Sequence, residues 1–259
     1  MIATIPGPAI LDLNTQREFL TDDGAFPFYQ FHGLLDGLKK IFSWAQRSHV
    51  PVVSTRLRDL PNPAQQQARG PAPAGKIMCH SHLPPFQKLP STTLRRRQDM
   101  PMDCGTSLPV EGFRLAQQLI FDLPGLNPFE CPRLDRLLSE TEVGLWLVVG
   151  GPLEWTLRMA VLGLLQRRAK VAVVSDCLGQ WDPYEGDMAL RQIESKNIEW
   201  VTAAQVVERY SRQPRTTHVP HEELKARLPQ TPPAVPAPAL AKPAQGRSKV
   251  RPRGAFRIG

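Results

Sequence analysis

The stretch from Leu145 to Asp176 constrains this chain more than any other. Leu145–Val149 is an unbroken apolar run, Gly150-Gly151-Pro152 interrupts it, and Leu153 to Arg168 repeats apolar residues at helical spacing. Lys170 to Ser175 reads as a second strand and ends in Asp176. A strand, a tight turn, a helix and another strand bring the chain back in the same direction. The two strands therefore pair in parallel through a right-handed crossover. Apolar runs without alternation belong to strands covered on both faces. A fold built around this unit needs helices on both sides of its sheet.

The rest of the chain supplies them. Ala9–Leu13, Pro51–Thr55, Gln118–Phe121 and Ile198–Val201 read as strands. Tyr29 to His49 carries Leu34, Leu35, Leu38, Ile41, Phe42 and Ala45 on one helical face, with Lys39, Lys40, Gln46 and Arg47 on the other. Pro132–Glu140, Pro183–Ser195 and Ala203–Tyr210 read as further helices. The expected fold is α/β: a three-layer α/β/α, Rossmann-like domain over residues 1–211, with a mostly parallel sheet of about six strands and sites at their carboxyl ends. Residues 56–108 show no sustained period and many prolines, which predicts a long Pro-rich insertion or lid.

Charge separates the body from the tail. The 259 residues carry 32 Lys and Arg against 24 Asp and Glu, a net charge of +8. Residues 212–259 hold ten of the basic residues and two acids, Glu222 and Glu223, which leaves 22 of each sign in 1–211. The body is neutral, so a basic groove on the folded domain is excluded. The tail, rich in Pro and Ala around 231–239 and basic from Arg247 to Arg253, is expected to be disordered. It could touch nucleic acid or an anionic surface weakly, but Phe256 is its one aromatic and gives no stacking platform. Cys79, Cys104, Cys131 and Cys177 lack any C-x-x-C pair, against a disulfide framework or a zinc site. The longest apolar run, Gly144 to Leu153, is too short to span a bilayer. Met1 to Leu13 lacks the features of a signal peptide. A cytoplasmic setting with no membrane partner is expected.

Several ordered segments carry a family resemblance. Asn14-Thr15-Gln16-Arg17-Glu18-Phe19 is similar to the D-x-Q-x-D-F motif after the first strand of isochorismatases and nicotinamidases. Cys79 to Lys88 is similar to their C-x-x-G-T-x-G-Q-x-K segment without its glycines. Val148 to Leu157 matches their V-x-G-x-x-x-D/E-x-C-V strand–turn–helix element, and Ala169 to Asp176 their following strand. The chain thus resembles the isochorismatase-like cysteine hydrolases over about residues 8–211.

That resemblance implies a triad of Asp, Lys and Cys, and the matching positions here are Asn14, Leu123 and Thr156. Asn14 stays neutral and lacks a useful basic lone pair. Leu123 brings no charge to favour a thiolate. Thr156 has a hydroxyl far harder to ionise than a thiol, with no evident base to activate it. The resemblance also places Gln16, Gly151, Pro152, Glu154 and Trp155 around a pocket and oxyanion turn, and it implies a cis peptide there. Gly151–Pro152 would supply one at a lower intrinsic cost than a non-proline bond.

Two routes back to catalysis remain open. Asp12 lies two residues before Asn14, on the same side of an extended strand, and could be a displaced acid; its simpler role is to bond nearby groups at the strand end. Cys177 also ends a strand, and its simpler role is a buried filler. His80 and His82 lack the D-x-H spacing of the zinc site in related nicotinamidases; Asp59 is the one acid in the counterpart region, so no metal or cofactor is expected. The sequence reads as a catalytically degenerate isochorismatase-like domain, a binding or assembly module whose copies pair through the helices flanking the sheet. The alternative is a hydrolase acting on amide, ester or vinyl-ether bonds of a small molecule through a rearranged site. A third reading gives the main role to the basic tail as a tether.

Overall fold

The computed structural model describes residues 3–24, 26–60, 77–78, 87–100, 106–108 and 112–211. Seven strands form one sheet: β1 (Ala3–Leu13), β2 (Val52–Leu57), β3 (Arg97–Met100), β4 (Gln118–Leu123), β5 (Thr141–Gly150), β6 (Val171–Leu178) and β7 (Glu199–Val201). Their spatial order is β3-β4-β2-β1-β5-β6-β7, and every neighbouring pair is parallel. The order reverses direction at β1, where strands on either side diverge. A crevice opens at such a switch point, at the carboxyl ends of the strands.

Five helices cover the two faces: α1 (His32–Ser48), α2 (Pro132–Glu140), α3 (Arg158–Gln166), α4 (Pro183–Glu194) and α5 (Ala203–Ser211). On one face α1 packs against α5 and β6; on the other, α2 packs on β5, and α3 on β6 and α4. The sequence dictates these contacts locally. In α1, Leu34, Leu38, Ile41, Phe42 and Ala45 are buried against the sheet. Its end is set by His49 in the left-handed region, whose N–H donates to the Ala45 carbonyl. In α4, the Asp182 carboxylate caps the Tyr184 and Glu185 amides and Pro183 takes the first turn.

The sheet has one strand more than the six read from the sequence. β3 lies within the stretch without a hydrophobic period and forms the edge beside β4. Only Met100 of its four residues is buried, since an edge strand needs little apolar surface. The same stretch is tied back to the body by Leu89 N–H to the Thr15 carbonyl and Arg17 N–H to the Gln87 carbonyl. Residues 61–76 and 79–86, with His80 and His82, lie outside the described residues, as does the tail from 212. No helix among the described residues is long and apolar enough to cross a membrane.

Candidate functional site

Asn14 is the first residue beyond β1 and has φ 52, a conformation that asparagine tolerates better than most residues. Its side chain is wholly buried and fully bonded. Nδ2 donates to the Gly151 carbonyl at 3.0 Å, and Oδ1 accepts from the Thr55 hydroxyl at 2.7 Å. The Asn14 N–H in turn donates to Thr55 Oγ1 at 3.1 Å. One neutral amide thus joins the end of β2 to the turn after β5.

That turn begins at Gly150, with φ 95, where a Cβ would fall 2.0 Å from the Leu13 carbonyl oxygen. The Gly151–Pro152 bond is cis. From Leu153 to Leu157 the chain winds as a π-helical turn, with Leu157 N–H bonded to the Pro152 carbonyl, and then continues as α3. Thr156 lies inside this turn with no exposed surface. Its Oγ1 has no hydrogen-bond partner among the described residues. Leu123 closes β4 opposite Leu57 and is also fully buried.

The other expected site residues hold structure around this point. Gln16 bonds both backbone groups of Leu57, accepting its N–H at 2.7 Å and donating to its carbonyl at 3.2 Å. Glu154 Oε1 accepts the N–H groups of Trp181 and Asp182 at 2.8 and 3.1 Å, while its buried Oε2 has no partner among the described residues. Burial raises the Glu154 carboxyl above the usual carboxylate range, partly offset by those N–H donors. Trp155 is half-buried, with the Arg158 guanidinium 5.8 Å from its ring centre. Phe19, Phe28 and Trp181 form an aromatic cluster with ring centres 5.2 to 5.8 Å apart. Phe28 lies against Gly151 and Gly179, so the space beside the cis turn is filled by a ring.

Charge appears one step away, where sequence reading did not place it. Lys88 Nζ lies 2.6 Å from Asp12 Oδ2, and both side chains are buried. Ser54 donates to the same oxygen at 2.6 Å and Thr15 to Asp12 Oδ1 at 2.8 Å. Lys88 also donates to Thr15 Oγ1 at 2.8 Å, and Gln118 Nε2 donates to Ser54 Oγ and the Thr92 carbonyl. Asp12 therefore bonds side chains from three segments rather than backbone at its own strand end. Desolvation pushes the Lys88 ammonium below the usual lysine range, opposed by Asp12. Lys88 closes the Cys79–Lys88 segment of the family resemblance, and that was its only sequence signal.

The remaining candidates are engaged or inert. Asp122, beside Leu123, accepts Arg56 Nε at 2.8 Å and Nη2 at 2.7 Å, and Arg56 also reaches Asp99 at 3.1 Å. Cys177 is fully buried, and burial first, then the adjacent Asp176, pushes its thiol up, away from a reactive thiolate. Among the described residues no group of three His, Cys, Asp or Glu could hold a metal ion.

The isochorismatase domain family matches residues 8–205 of this chain. Among solved structures, the fold is similar to a cysteine hydrolase from Pseudomonas syringae pv. phaseolicola 1448A: 16% identity and TM-score 0.57, over 79% of this chain and 92% of that one. It is also similar to the MAR1 ribonuclease from Caenorhabditis elegans, at 16% identity and TM-score 0.53, over 91% and 97%. A third likeness is the YcaC gene product of Escherichia coli, described as an octameric hydrolase of unknown specificity, at 11% identity and TM-score 0.53, over 78% of each chain. At these identities the likeness is one of fold. No curated protein sequence matches.

Proposed function

The chain belongs to the isochorismatase family, and from that membership we propose that it is a catalytically degenerate member, acting by binding or assembly rather than by hydrolysis. The observation that carries this reading is the Thr156 hydroxyl. It stands on the helix-opening turn where the family resemblance puts a nucleophile, yet no base lies within hydrogen-bond reach among the described residues. An unactivated hydroxyl is a poor nucleophile at neutral pH. Asn14 supports the reading because its amide is already committed to Thr55 and Gly151. Leu123 supports it because nothing about a buried alkyl chain replaces an ammonium.

The Asp12–Lys88 pair favours the alternative, a hydrolase with a rearranged site, because it brings an acid and a lysine together near the expected place. Both groups are bonded to each other and to Thr15 and Ser54, however, and neither bonds Thr156. An assembly role is compatible with the family, since the fold recurs in a hydrolase described as octameric. The test is covalent labelling. Incubation with activated esters followed by peptide mapping should leave Thr156 unmodified. An acyl adduct at Thr156 that is lost in Asp12→Asn would replace this reading with the rearranged hydrolase.

A further inference from the structure

We infer that the outer faces of α3 and α4 form a self-association surface whose occupant is a second copy of this chain, in an antiparallel two-fold contact. The inference deepens the assembly half of the proposed function and rests on that half alone.

The sequence of α3 shows that something is missing from its outer side. Arg158-Met-Ala-Val-Leu-Gly-Leu-Leu-Gln is apolar almost all round, the composition of a helix covered on every face. The sheet side accounts for Ala160, Val161, Gly163 and Leu164, all buried. Trp155, Met159 and Leu162, at i, i+4 and i+7, run down the other side. All three are half-buried, and none packs against the hydrophobic core. Apolar residues repeating at this spacing form one continuous stripe.

Helix α4 packs beside α3 and against the Leu153–Leu157 turn, and the Arg158 guanidinium reaches Gln192 at 3.5 Å across the pair. Its inner residues Gly186, Ala189 and Ile193 are buried. Its outer side shows Tyr184, 73% exposed, and Met188, 48% exposed, with Asp187 and Arg191 exposed alongside. Neither Asp187 nor Arg191 has an ion-pair partner among the described residues. Two packed helices thus present one apolar surface with a single acid and a single base along its α4 edge.

Charge complementarity selects the occupant. Across a two-fold axis level with Ala189, antiparallel α4 helices place Asp187 of each copy opposite Arg191 of the other. Met188 then meets Met188 near the axis. A two-fold contact of this kind is self-complementary, each pair occurring twice. The body carries 22 charges of each sign over residues 1–211, so two copies approach without net repulsion.

The experiment is sedimentation equilibrium of the full chain with four variants. The wild-type chain should sediment as a dimer at micromolar concentration. Asp187→Arg and Arg191→Asp should each weaken the dimer about tenfold or more, since each places like charges opposite one another twice. The double variant Asp187→Arg/Arg191→Asp should return it to near wild-type strength. Met159→Glu should give a monomer; if it does not fold, the three exposed charge variants carry the test. A monomeric wild-type chain would overturn the inference, as would a dimer indifferent to the single reversals or not restored by the double one. Neither result bears on labelling at Thr156, so the surface and the chemistry fail separately.

Discussion

Lys88 Nζ sits 2.6 Å from Asp12 Oδ2, two opposite charges closed off from solvent and 76 positions apart in the chain. Each charge is tolerable there only because of the other, together with the Thr15 and Ser54 hydroxyls that bond the carboxylate. The pair also fastens the segment around Lys88 to the central strand.

Breaking this pair from one side should therefore be costly. Lys88→Met leaves a buried carboxylate and Asp12→Asn a buried ammonium, and each should lower unfolding stability by about 3–5 kcal/mol. The double variant should lose clearly less than the sum of the two, because no charge is then stranded. Urea midpoints of the four proteins measure this; strict additivity would mean that the two groups act independently.

Thr156→Val should raise stability by about 1 kcal/mol. The substitution keeps the shape of the side chain and removes a buried hydroxyl that has no partner, whose burial costs about 1–3 kcal/mol. A thermal or urea midpoint below wild type would show that Oγ1 makes a bond worth keeping.

Glu154 predicts a pH dependence of definite sign. Its folded-state pKa is raised above the ordinary 4.5, with burial the main cause. The folded protein thus holds this proton more tightly than the unfolded chain does. The group's contribution is fully present below pH 4.5 and is lost as pH rises through the raised value. Glu154→Gln stays neutral and can still accept the Trp181 and Asp182 N–H groups. Its stability relative to wild type should grow from pH 4.5 towards neutrality; a constant or shrinking difference would contradict the assignment.

Gly150→Ala tests the turn itself. A methyl group there would meet the Leu13 carbonyl oxygen at 2.0 Å, on a backbone with φ 95. Leu13 belongs to the central strand and has no room to retreat. The variant should lose about 3 kcal/mol or more, from overpacking and backbone strain together.

The sheet was legible in the sequence where its strands are apolar throughout. Ile10-Leu11 and Val171 to Val174 declare themselves because burial on both faces leaves no place for a polar residue. The edge strand Arg97–Met100 did not, because three of its four residues are polar and pair through backbone alone. The turn residues Gly150, Gly151 and Pro152 were legible for the opposite reason: few residue types fit such backbone. Lys88 was not legible as a site residue. Its burial is made by distant contacts with Asp12, Thr15 and Thr55, and nothing in a Pro-rich stretch without period distinguishes a lysine that folds inward from one left in water. Asp12 was noticed for its spacing from Asn14, but its partner had to be found in space.

The central claim is that the Thr156 turn no longer performs hydrolysis. Steady-state turnover of a panel of amide, ester and vinyl-ether substrates, compared between the wild-type chain and Thr156→Ala, tests it most directly. The account predicts that both proteins return every substrate at the buffer rate. Turnover by the wild-type chain that disappears in Thr156→Ala would contradict it.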